Sequence, residues 1–553
     1  MHDLKLNLPK VFPYFSQLVA CTLFISSSII ATLVTRPVWS AERFTLSYGV
    51  LQRSVSIDSL EKYAKTGKVD DELAAYVQYA PKEQLEQLRK VLLTAIPLNA
   101  VQVSQFLYTP IGERLLENLA QVIQGEGHSS DLRAIRAALI LAAAQPGNFT
   151  LLNIFRKFPS REISINLVRS LEIAQSFRNL VNQTQQAIAL INQEFQQQAN
   201  ASVQKLNNPA KINLLQPGSF QWQKQTITLS NQLSHRSFPA DIYLPIISNP
   251  SPVIVISHGL GSDRTSFAYL AERLASYGFA VAVPEHPASN SQQLQALLSG
   301  KSDQVTSPWE FVNRPLDIKY LLDELARLSQ VDPVFRGRLN LQKVGVVGQS
   351  FGGYTALALA GAAINFEQLQ KSCPHTKDTL NISLLLQCLA LELPRSRQYN
   401  LSDSRVKAAI AINPIDSVIF GQKSLAQIKI PVMIVSGSAD PIALTLPEQI
   451  QPFTWLKSFD KYLVLINNGT HFSTIGESPN SSVPVPDWAV GPNPPLARRY
   501  VDVLSVAFFQ TYVNNQLSYA PYLSANYINS VSQQPLPLSM VRSLELNSSS
   551  ISP

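Results

Sequence analysis

Gly348-Gln349-Ser350-Phe351-Gly352-Gly353 follows directly on the apolar run Lys343–Val347 and directly precedes a helical stretch that begins at Ser350. A serine on so sharp a strand-to-helix turn needs small neighbours, so that strand and helix can approach closely. Its hydroxyl is then presented at a helix N-terminus, where backbone N–H groups face developing negative charge. A bare Gly-x-Ser-x-Gly is common by chance. With strand, turn and helix all in place, the stretch reads as a nucleophile elbow and Ser350 as a nucleophile.

Outward from the elbow, from about Phe220, short β-branched runs alternate with helical ones. Thr226–Leu229 and Asp241–Leu244 read as an opening strand pair, and Val253–Ser257 is a continuous apolar run of the kind buried on both faces. The helix Phe267–Tyr277, the strand Ala280–Pro284 and the helix Leu316–Leu328 follow. Further strands fall at Ala408–Ile412, Val432–Ser436 and Tyr462–Ile466, and the helix Leu496–Tyr512 closes the series. This alternation predicts an α/β fold with a mainly parallel sheet flanked by helices.

Two more segments carry chemistry. His258-Gly259-Leu260-Gly261 ends the Val253–Ser257 strand. Acyl transfer needs two donors for an oxyanion, and this loop and the residue after the nucleophile supply the Leu260 and Phe351 N–H groups. The His258 side chain reads as a brace for that loop rather than as a base. Of the seven histidines, only His471, in Asn467-Asn468-Gly469-Thr470-His471-Phe472, stands just beyond the last strand and downstream of the serine. It is the expected base. The acid is expected at Asp440, in Ser436-Gly437-Ser438-Ala439-Asp440-Pro441, with Asp416 after the preceding strand as the alternative.

The elbow, the His258 loop and Gly469-Thr470-His471-Phe472 together resemble the α/β-hydrolase superfamily. They look most like the branch with platelet-activating-factor acetylhydrolases, dienelactone hydrolases and cutinase-like polyester hydrolases. The run Arg314-Pro315-Leu316-Asp317-Ile318 also looks like that branch. The layout, with a helical N-terminal domain of unknown function, is similar to a group of cyanobacterial α/β-hydrolases. This resemblance implies a Ser/Asp/His carboxylic-ester hydrolase, lipid-directed and without a cofactor. Acetylhydrolases carry their acid after the earlier strand, which keeps Asp416 in play. A peptidase of the same fold and a catalytically silent binding protein are the rival readings.

The remaining chain sets the context. Lys5 and Lys10 precede an uncharged apolar run, Leu18–Val34, and small residues stand before Glu42, the layout of a secretory signal over residues 1–41. An uncleaved anchor and a lipoprotein box ending at Cys21 remain open, and all three imply export to a periplasmic or extracellular site. Residues 42–201 read as an all-α domain without a catalytic constellation, punctuated by Pro97, Pro110, Pro146 and Pro159. A capping box at Asp58-Ser59-Leu60-Glu61 opens a helix that Gly67 closes. Residues 202–219 form a linker, 220–515 the hydrolase domain and 516–553 an extension expected to lack order from Gln533.

Residues 365–405 are an insertion longer than a crossover needs. Its Cys373 and Cys388, the two cysteines outside the targeting segment, are expected to pair in an oxidising compartment. That closed loop is a candidate cap over the site. No Cys/His spacing fits a metal. The net charge of +7 comes without a basic run or basic–aromatic stripe, which excludes nucleic acid as the expected partner. A small ester or lipid is the expected substrate, and a membrane surface is the one larger partner left open.

Overall fold

A computed structural model of the chain describes residues 40–48, 51–78, 81–125, 131–145, 147, 149–203, 212–378, 381–480, 485 and 487–546. The expected signal or anchor at Leu18–Val34 and Cys21 lie outside the described residues. Among the described residues, no helix is long and apolar enough to cross a membrane. The chain forms two units. One takes Met1–Val181, Leu294–Val305 and His375–Leu380; the other takes Asn182–Gln293, Thr306–Pro374 and Asn381–Pro553.

Helices dominate the first unit, but it is not the all-α domain expected. Ile57–Thr66 ends at Gly67, whose φ of 73° is the left-handed conformation that glycine reaches without penalty. Its opening differs from expectation: the cap is Ser56, whose hydroxyl accepts the Ser59 N–H, and Asp58 lies in the first turn. A small sheet also runs through this unit, built from β1 (Arg43–Tyr48), β2 (Leu51–Ser56), β3 (Ile123–Gln124) and β4 (Glu162–Asn166), in the order β2-β1-β4-β3. Buried Leu107, Leu116, Ile135, Ala138 and Phe149 form its apolar centre with Ile163 of β4.

The second unit carries nine strands: β5 (Trp222–Asn231), β6 (Arg236–Pro245), β7 (Ser251–Ser257), β8 (Ala280–Pro284), β9 (Leu339–Gln349), β10 (Val406–Ile412), β11 (Val432–Gly437), β12 (Lys461–Ile466) and β13 (Leu538–Val541). Their order is β13-β12-β11-β10-β9-β7-β8-β6-β5. The six from β8 to β12 across the middle pair in parallel, with antiparallel β6 and β5 at one edge and β13 at the other. This is the α/β-hydrolase fold.

The apolar runs earn their place by burying both faces. Val253 and Val255 of β7 enter one core with Ile318, Leu321 and Leu322 of the helix Glu310–Val331. Ile254 and Ile256 enter the other with Val501, Leu504 and Phe508 of the helix Pro494–Tyr512. Each such side chain contributes roughly 1.5–3 kcal/mol by leaving water.

Register then aligns the chemistry. Ser257 pairs with Gly348 and Gln349 with Ile412, so the loops after β7, β9 and β10 leave the sheet at one edge. Gly437 pairs with Ile466, which brings the loops after β11 and β12 to the same edge.

Candidate active site

Ser350 stands between β9 and the helix Phe351–Leu359 with φ 55° and ψ −116°. A non-glycine residue there costs on the order of 1–3 kcal/mol. Packing on both sides enforces it. A Cβ on Gly348 would lie 2.0 Å from the Gly352 carbonyl oxygen, and one on Gly352 would lie 1.9 Å from that of Ser257. The Ser350 N–H donates to Ile412 O at 2.8 Å, fixing the turn to β10. The serine keeps 7% exposure.

The helix Glu310–Val331 buttresses this elbow. Pro315 sits inside it and removes the N–H that Phe311 O would accept. The Tyr354 hydroxyl, from the elbow helix, donates to that freed carbonyl at 2.7 Å. The helix expected over Leu316–Leu328 in fact begins at Glu310, six residues earlier. Tyr354 makes the proline tolerable inside.

His471 Nδ1 lies 2.7 Å from Asp440 Oδ2. The other Asp440 oxygen accepts the Ile442 and Ala443 N–H groups, each at 2.8 Å. Three donors thus converge on a carboxylate that is 5% exposed. Proton donation from Nδ1 to Asp440 leaves Nε2 as the basic nitrogen. Asp416, the alternative acid, is not brought to His471. It is fully buried, and neither of its carboxyl oxygens has a hydrogen-bond partner. Burial, and then the charge of Glu448, push its pKa well above the ordinary carboxylate range.

Two polar residues that the sequence reading gave no role tie these parts together. Gln349 Nε2 donates to His471 O at 3.0 Å, and a Cβ on Gly259 would strike the same side chain at 2.3 Å from Oε1. Asn413 Oδ1 accepts the Gly437 N–H at 2.8 Å while its Nδ2 donates to Thr470 O at 3.1 Å. An amide directly before the elbow and another directly after β10 were the available signals.

The His258 loop is braced as expected. His258 Nε2 accepts the His286 N–H at 3.0 Å, so the ring proton is on Nδ1, which donates to Gly259 O at 2.8 Å. Burial, followed by the Arg314 charge, holds its pKa down to about 3, so the ring is neutral. Among the described residues, the Leu260 and Phe351 N–H groups have no acceptor.

The insertion docks beside the acid loop. In its helix Ile382–Cys388, the Ser383 N–H donates to Ile442 O at 3.2 Å. Cys373 and Cys388 are joined in a disulfide. No group of His, Cys, Asp and Glu among the described residues could hold a metal ion.

Comparison with known proteins agrees with this architecture. Residues 40–166 match the family model described as an alpha/beta hydrolase of unknown function, a match that falls in the first unit. Residues 219–309, which include the His258 loop, match platelet-activating factor acetylhydrolase, isoform II. Cutinase est1 of Thermobifida alba is 24% identical over 290 residues, 51% of this chain and 67% of the cutinase. The chain thus resembles alpha/beta hydrolases in both of its units.

Proposed function

We propose that this protein hydrolyses carboxylic esters through an acyl-enzyme formed on Ser350. The observation that carries the proposal is the His471–Asp440 pair at 2.7 Å, held at the sheet edge where a strained serine ends β9. His471 Nε2 takes the Ser350 proton as Oγ attacks the ester carbonyl carbon, and Asp440 orients the ring and stabilises the imidazolium. The Leu260 and Phe351 amides receive the oxyanion. Collapse breaks the bond to the alcohol, which leaves with the proton from His471. Water, deprotonated by the same nitrogen, then attacks the acyl-enzyme and releases the acid and free Ser350.

The acetylhydrolase and cutinase likenesses both favour an ester substrate, and we extend this to lipid esters. A disulfide fits a protein exported from the reducing cytosol. Ser350→Ala tests the mechanism. The variant should keep its circular dichroism and lose both fluorophosphonate labelling and turnover of short p-nitrophenyl esters, by on the order of 10⁶-fold. Turnover like that of the wild type would sink the mechanism. A panel of amides and acylated phospholipids, run beside the esters, separates a peptidase from an esterase.

A further inference from the structure

Arg314 opens the Arg-Pro-Leu-Asp-Ile run, and the proposed mechanism makes no use of it. Its side chain is fully buried, with the guanidinium 4.5 Å from the centre of the Phe351 ring. Nε donates to Ser289 Oγ at 3.0 Å. Nη2 lies 3.4 Å from His258 Nδ1 and 3.5 Å from Gly259 O. Since Nδ1 already carries the ring proton, Gly259 O is the acceptor open to Nη2. Nη1 has no partner.

No carboxylate lies within ion-pair range of this guanidinium among the described residues. Glu310 and Asp317, on the same helix, are instead paired with Arg236 of β6, at 2.9 and 2.6 Å. A buried cation without its own counter-ion is costly. Burial draws the Arg314 pKa down to about 9 against the opposing charges of Glu310, Asp317 and Glu285, which still leaves it charged at neutral pH. A charge held against the Phe351 ring and the Gly259 carbonyl calls for a role.

We infer that Arg314 is a positioning residue for the oxyanion site, holding the Gly259–Leu260 peptide through Gly259 O and placing a positive charge behind the Leu260 and Phe351 amides. The Gly259 carbonyl and the Leu260 N–H belong to one peptide unit. Donors on the carbonyl fix the plane of that unit, turn the N–H inward and polarise it. In a water-excluded site, the guanidinium also acts on the developing anion at short range through low dielectric. His258 Nδ1 and Arg314 Nη2 share the carbonyl, so histidine supplies geometry and arginine adds charge.

The inference rests on the ester-hydrolase reading, and its test separates the two. In Arg314→Met, kcat on an ester should fall about 10- to 100-fold with KM within about twofold. Affinity for a trifluoromethyl ketone, which adds to Ser350 as an anionic tetrahedral adduct, should fall by the same factor. Arg314→Lys keeps the charge and loses the planar fork, so kcat should fall about three- to tenfold at unchanged KM. Where the Met variant does not fold, the Lys variant decides. Unchanged kcat and ketone affinity in a folded variant, or a loss confined to KM, would overturn the inference. If wild-type protein is not labelled by fluorophosphonate at Ser350, the ester-hydrolase reading has failed instead.

Discussion

Two aspartates end neighbouring strands and are treated in opposite ways. Asp440, after β11, receives two backbone N–H groups and the His471 ring. Asp416, after β10, is as well buried and receives nothing. The donors near Asp416, its own N–H and those of Ser417, point at Glu448. Asn381, Ser383 and Gln387 of the insertion add theirs to the same carboxylate. Burial without donors pushes the Asp416 carboxyl well above its ordinary range, while the donors go to its neighbours. A place at the end of a strand therefore does not identify an acid.

The largest way to break this contrast is Asp440→Asn. It should lower turnover by about 10⁴, roughly 5.5 kcal/mol of barrier, in a protein whose circular dichroism is unchanged. A loss of less than about tenfold would show that His471 is oriented by something else. Glu448→Gln should act on stability rather than chemistry. It leaves donors from two segments to share one oxygen, at a cost of about 2–4 kcal/mol in a urea titration. A midpoint equal to wild type would mean that the cluster is not held by charge.

Asp416→Asn is the smallest change. We expect turnover within about threefold of wild type, and a difference that appears in the pH dependence of stability. The carboxyl is raised in the folded state and titrates near 3.9 when unfolded. Its contribution is therefore full below about pH 4 and lost as pH rises through the native value, by at most about 1.4 kcal/mol per pH unit. Wild type should thus lose stability relative to the Asn variant as pH rises above about 4. A flat difference would place an ionised carboxylate there.

Much of this was legible in the chain. Ala280–Pro284 is predicted and observed with the same ends, because five buried residues between a turn and a loop leave no other reading. The elbow was legible for a similar reason: its glycines report close contacts, and close contacts are local. What escaped depends on distant partners. β1 is held by β4, more than a hundred residues away, and its own six residues do not announce a sheet. The roles of Gln349 and Asn413 depend on carbonyls of the His471 loop, which no local pattern encodes. The stretch from Gln533, read as disordered for its prolines and serines, continues instead into β13, because the outer edge of β12 offers it a ladder.

That last strand has a consequence in time. Besides pairing with β12, the segment before it holds the loop that leads to His471: Asn467 N–H donates to Pro537 O at 2.8 Å, and Asn468 Nδ2 to Pro535 O at 2.9 Å. β13 ends about 190 residues after Ser350. At a synthesis rate of about 5–20 residues per second, the ribosome reaches it roughly ten to forty seconds after the serine. Until then the loop for the proposed base lacks these two hydrogen bonds. A nascent chain halted before Gln533 would carry the elbow and a histidine loop without these two hydrogen bonds, so the proposed site is completed only after this segment is made.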